Sequence, residues 1–234
     1  MPDLASAFVY YVVFLFSTTL HEAGHAWAAK LGGDLTAYHG GQVSLDPRPH
    51  IRREPFGMVV LPLLTVVLSG WPMGFASAPY DVAWAIQYPR RAGWMALAGP
   101  TANLALVLVA AASLHLGMAA GMFAPPQSIR FDHLVGVPES GMWEGIAFFL
   151  SVLFSMNLLL ATLNLIPFPP LDGSAAVPLL LSDRLADRYQ RFILQNGQMF
   201  ALVGMLAAWR VFDVLFDPIF LFAINILHWG SHYS

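Results

Sequence analysis

The chain has 234 residues, 57% of them hydrophobic and only 11% charged, with a net charge of −3 and no cysteine. Soluble domains carry about 25% charged residues, so this composition reads as an integral membrane protein bathed in the lipid bilayer. The charge leaves no basic footprint for nucleic acid, and the missing thiols exclude disulfides and thiolate metal sites, so a metal here must be held by histidine and carboxylate.

The N-terminal MPDLASAF has no positively charged n-region, so the first apolar segment is expected to be retained rather than cleaved. That segment, 4–31, is long enough for a full span. Segment 56–69 is short and contains Gly57 and Pro62. Segments 92–116 and 142–166 are clear spans, and 192–208 is a further one. The last apolar stretch, 211–228, is interrupted by Asp213, Asp217 and Pro218 and reads as interfacial or re-entrant. Between these, 183–191 reads as a polar helix lying on the membrane surface.

Basic residues order the connections. Lys30, Arg48, Arg52 and Arg53 follow the first segment, Arg90 and Arg91 precede 92–116, and Arg184, Arg188 and Arg191 follow 142–166. Lys and Arg favour the cytoplasmic side. If 56–69 enters and leaves on one side, all three groups share that side, and the N-terminus and 117–141 lie opposite. The alternative is a short, tilted fifth span. The expectation is therefore an all-α polytopic membrane protein, a single transmembrane domain over 1–234, with about four spanning helices plus re-entrant or interfacial segments at 56–69 and 211–228.

Inside the first segment stands His21-Glu22-Ala23-Gly24-His25, an HExxH motif. On a helix, residues four apart share a face, so both imidazoles can reach one zinc ion. Glu22 stands where it can take a proton from water activated by the metal. The bland reading is a pair of helix-surface histidines, but ionisable side chains inside a span are costly and usually functional. A catalytic zinc needs a third protein ligand and an open position. Asp172, after the Pro-rich break at 167–170, is the carboxylate that the charge-derived topology places at the depth of His21 and His25. The competing use of Asp172 is to cap the helix that follows.

His21 to His25 together with NLIPFPPLDG, residues 164–173, resembles the site-2 protease family of intramembrane zinc metalloproteases, in its short bacterial type. Gly33-Asp34, the stretch from Val43 to Pro47 with His50-Ile51, and Leu97-Ala98-Gly99-Pro100-Thr101-Ala102-Asn103 are similar to further family segments. Two positions depart from the pattern: 70–79 lacks the family's Lys-Pro-Val-Pro stretch, and Asp46 stands where Asn is common.

The resemblance implies Zn2+ as cofactor, hydrolysis of peptide bonds in or near transmembrane segments of a membrane protein substrate, and regulated intramembrane proteolysis. It supports His21, His25 and Asp172 as metal ligands, Glu22 as general base, and Asn164 as a second catalytic candidate orienting substrate backbone or an oxyanion. Asn103 can either tie its helix to the zinc helix or touch substrate, and Asn157 reads as a helix–helix hydrogen bond. The extended 70–79 stretch can serve as a strand for an unwound substrate or as an ordinary loop. His39, His50, His115, His133, His228 and His232 lack ligand spacing and read as surface or interfacial. The location implied is the cell membrane, with the site near the cytoplasmic side. Regulatory partner proteins are a further expectation, since substrate choice must rest on them or on the bundle. The alternative function is a non-hydrolytic zinc carrier or sensor, which leaves Glu22 without a task.

Overall fold

A computed structural model describes residues 3–138, 141–229 and 233. It is 75% helical, and among the described residues the pairing of extended chain is confined to two isolated bridges, Ala124 with Gly136 and Arg130 with His133. Four stretches of helix are long and apolar enough to cross a membrane, as the hydropathy pattern predicts. His232 lies outside the described residues.

Helix α1 (Leu4–Gly32) starts where the Asp3 carboxylate accepts from the Ser6 amide at 2.8 Å. It stops at Gly33, whose φ of 98° suits glycine alone among common residues. Two short helices follow, α2 (Thr36–His39) and α3 (Pro47–Arg53), the second capped by Asp46 accepting from the Arg48 amide. Phe56–Val60 forms a π-helical turn that runs into α4 (Leu61–Ser69). Fourteen helical residues reach only about 21 Å, short of a hydrocarbon core of about 30 Å. Residues 72–81 are extended and tethered back to this helical stretch: the Phe75 amide donates to Gly57 O at 3.1 Å and the Met73 amide to Thr65 Oγ1 at 2.8 Å.

After α5 (Val82–Gln87), α6 (Pro89–Ala119) and α7 (Met142–Asn164) form the heart of the bundle, with α6 packed between α1 and α7. Gly24 of α1 meets the Ala98 carbonyl of α6 so closely that an added Cβ would lie 2.9 Å from it. Small residues at that crossing allow two backbones to approach, the usual device between membrane helices. The apolar core, including Val13, Phe14, Leu114, Leu134, Val152 and Met156, fills the end of the bundle away from Lys30.

Pro167, Pro169 and Pro170 cannot continue α7, and the chain turns into α8 (Asp172–Ala176) and a 3-10 turn, Val177–Leu180. The last helix, α9 (Asp183–Leu227), has 45 residues and corrects two expectations. Residues 183–191 are its first turns rather than a separate surface helix, and 211–228 continues it rather than lying at the interface. The span is Met199–Leu227. Arg210, Asp213 and Asp217 interrupt the apolar run in sequence but share one face, leaving Phe212 and Phe216 to pack inward. A single Pro218 removes one backbone donor, which a membrane helix tolerates.

Candidate metal centre

His21 and His25 lie one turn apart on α1 and are both buried, 7% and 6% exposed. Their rings stand edge to face, with centroids 4.6 Å apart, and their Nε2 atoms are 3.0 Å apart. The other nitrogen of each ring is engaged by α6. His25 Nδ1 faces the Met95 carbonyl at 2.7 Å, so it must carry the proton. His21 Nδ1 faces Asn103 Oδ1 at 2.5 Å. In neutral rings held this way, both Nε2 atoms present bare lone pairs.

The Asp172 carboxylate closes the triangle. Its Oδ2 lies 3.0 Å from His21 Nε2 and 3.3 Å from His25 Nε2, and it is buried without a hydrogen-bond donor among the described residues. Three electron-pair donors thus converge with no proton between them in the neutral tautomers, which calls for a cation. Ligand atoms bound to a tetrahedral zinc at about 2.0–2.1 Å stand about 3.3 Å apart, so the triangle has the right size. The donor set fits zinc.

Glycines leave room for this arrangement. A Cβ on Gly99 would lie 2.5 Å from His21 Nε2 and nearer still to that of His25. A Cβ on Gly173 would run into the backbone of Leu165 and Ile166, so the residue after Asp172 lets the loop close on the end of α7. Asp172 does not cap α8; Leu171 occupies that position. Glu22, 6% exposed, has an Oε2 without a hydrogen-bond partner among the described residues. A carboxylate oxygen of Glu22 and the ligand nitrogens of His21 and His25 all lie within 4.8 Å of one another.

Beyond these groups runs a hydrogen-bonded file. Asn103 Nδ2 donates to Asn157 Oδ1 at 2.8 Å, and Asn157 Nδ2 donates to Ser17 Oγ at 2.9 Å and to Leu153 O at 2.8 Å. All three side chains are fully buried. The file joins α1, α6 and α7 and ends on the His21 ring. Asn157 is the helix–helix tie expected, and Asn103 does the tying through an imidazole. Asn164, at the last position of α7, is half-buried and donates to Leu160 O at 3.1 Å; it makes no hydrogen bond to the triangle. Sequence reasoning marked Gly99 within the Leu97–Asn103 segment without tying it to the imidazoles, and missed the Met95 carbonyl. The four-residue spacing of Gly99 and Asn103, one helical turn, was the available signal.

Two histidines expected at the surface are instead in the interior. His50 is 1% exposed, its Nε2 on Ser44 O at 3.0 Å, and His228 is 4% exposed, its Nε2 on Leu134 O at 2.8 Å. Each packs a loop down by meeting one of its backbone carbonyls.

Comparison with known proteins gives a consistent result. The model of the family described as Peptidase family M50 matches residues 9–204. The chain is 35% identical to a protein named zinc metalloprotease Rip2 from Mycobacterium tuberculosis (strain ATCC 25618 / H37Rv), over 88% of this chain and 69% of the relative. It is 32% identical to a protein named zinc metalloprotease YwhC from Bacillus subtilis (strain 168), over 69% of this chain and 64% of the relative. Rip2 of Mycolicibacterium smegmatis (strain ATCC 700084 / mc(2)155) is 31% identical, over 70% of this chain and 54% of the relative. No solved structure matches.

Proposed function

The chain belongs to peptidase family M50, the site-2 protease family, and from that premise we propose that it is an intramembrane endopeptidase whose zinc is held by His21, His25 and Asp172. That it is a zinc metalloprotease and a multi-pass membrane protein follows from the family and the four apolar helices. The finer reading adds the substrate, peptide bonds within or near transmembrane segments of a membrane protein, and the setting, regulated intramembrane proteolysis. The observation that carries it is the buried triangle of His21 Nε2, His25 Nε2 and Asp172 Oδ2, with edges of 3.0–3.3 Å.

Zinc, when bound, supplies a Lewis acid that makes water nucleophilic near neutral pH and polarises the scissile carbonyl. The chain does the rest. Nε2 of His21 and His25 and Oδ2 of Asp172 orient the ion, and α6 fixes both rings through Asn103 and Met95. Glu22 takes the proton from the attacking water and passes it to the leaving amide nitrogen. Asn164 turns from Leu160 O toward the substrate backbone, its place beside the 165–171 break being the support for that role. Non-helical backbone in this break is tolerated where it lines a wet cavity, and hydrolysis needs that water. In this reading the site lies near the cytoplasmic face of the cell membrane, and what supports it is the basic residues near this end of the bundle, among them Lys30, Arg53, Arg90 and Arg91.

A non-hydrolytic zinc carrier would use the same triangle but leave the buried Glu22 carboxylate idle. Glu22→Gln decides between them. The proposal expects cleavage of a membrane-embedded substrate to fall by at least about 10²-fold while zinc content stays at the wild-type level. Undiminished cleavage would remove Glu22 as the base.

A further inference from the structure

Helix α9 carries charge where a membrane helix should not. Its depth is set by its own contacts. Gly204 backs onto Pro169, and Ala208 packs with Ile166 and Leu171, at the level of the metal centre. Phe216 and Phe220 stack on each other, and Phe220 on Phe131, toward the far end. Ile224 and Leu227 join the far-end core. Arg210, Asp213 and Asp217 therefore stand between the two ends of the bundle, and all three are exposed. Among the described residues none of them forms an ion pair. Ionisable groups at this depth normally face a bundle interior and pair with one another.

The exposed positions have a pattern. Met199, Val203, Leu206, Arg210, Asp213 and Asp217 are spaced four, three, four, three, four, and every one is exposed. That is a heptad seam. It lies opposite the face that Gly204 and Ala208 press onto the chain's own bundle. Of the most apolar 18 residues within Met199–Leu227 only 11% are buried, against 61% for the corresponding stretch of α7, so nearly the whole outer face of α9 lacks a protein partner within one chain. Lipid can cover Met199, Val203 and Leu206. It cannot satisfy the charged half of the seam.

We propose that this seam is a homodimer interface, on which α9 of a second copy packs in parallel. Copies with one orientation in the same membrane, related by a twofold axis along its normal, bring their α9 helices together parallel. In that packing an Arg210 knob sits beside the second copy's Asp213, and the reverse contact follows by symmetry. The stripe carries both signs within four residues, Arg210 to Asp213, so it complements itself. Each layer of a parallel pair faces its own copy, so the Arg210, Asp213 and Asp217 layers each bring like charges together, and the register rests on the diagonal Arg210–Asp213 contacts between adjacent layers. The dimer places the metal-bearing faces of the two copies away from the seam, since α9 meets the Pro169–Leu171 loop with its opposite side.

The chain has no native cysteine, so single-cysteine variants report without background. The full chain is oxidised in membranes bearing Met199→Cys, Val203→Cys or Leu206→Cys, and, off the seam but also exposed, Met205→Cys or Leu215→Cys. The proposal expects disulfide-linked dimers at 199, 203 and 206 and none at 205 and 215. It also expects Arg210→Asp to abolish the Leu206→Cys dimer and the double variant Arg210→Asp, Asp213→Arg to restore it. Equal linkage at all five positions, linkage at none of the seam positions, attachment of the seam to a different protein, or a double reversal that fails to restore the dimer would each overturn the proposal.

Discussion

His21 has one nitrogen for the metal and one for Asn103, and the second decides what the first can do. An imidazole whose Nδ1–H is held by an acceptor keeps its Nε2 lone pair free and aimed. Asn103 can only be that acceptor if its own amide is held, and Asn157 and then Ser17 hold it. Removing such a partner typically lowers metal affinity about 10–100-fold. Asn103→Leu is expected to weaken zinc binding by that amount in a chelator-competition titration, whereas Thr101→Leu, on the exposed side of α6, leaves it unchanged. Equal affinities for wild type and Asn103→Leu would show that the file only ties helices together.

Among the elements, α9 has the widest consequences, because one helix both supports the Asp172 loop and faces outward. Gly204 approaches the Pro169 carbonyl so closely that any Cβ must push the two apart, while Gly197, seven residues earlier, has open space around it. Gly204→Leu is expected to destabilise the protein by about 1–3 kcal/mol, read as a lower midpoint of thermal inactivation in detergent, with zinc released more readily. Gly197→Leu is expected to leave the midpoint unchanged or slightly raised, since it adds helix propensity and meets no neighbour. Equal effects would mean that the Gly204 contact does not support the loop. This helix is also where hydropathy misled. Arg210, Asp213, Asp217 and Pro218 lower the local average and suggest an end to the span, yet a helix needs only one continuous apolar face, and Phe212, Phe216 and Phe220 provide it.

At the scale of the molecule, the long spans and the metal pair were legible because each is a local pattern: apolar runs of sufficient length, and two histidines four apart. Asp172 was legible only through topology, since it lies 147 positions after His25 in sequence. The burial of His50 and His228 was not legible, because each depends on a carbonyl, Ser44 O or Leu134 O, delivered by a loop whose path no periodicity encodes. The role of Asn103 lay between: its motif marked it, but the choice of partner needed the crossing of α1 and α6. What the bundle achieves as a whole is to bring the end of α7 onto the HExxH turn of α1, with α6 as the plate against which both are set. The most direct test is the zinc content of purified Asp172→Ala beside the wild type, both folded and equilibrated with limiting zinc. The account predicts about one zinc per chain in the wild type and loss of most of it in the variant; full zinc occupancy in Asp172→Ala would contradict it.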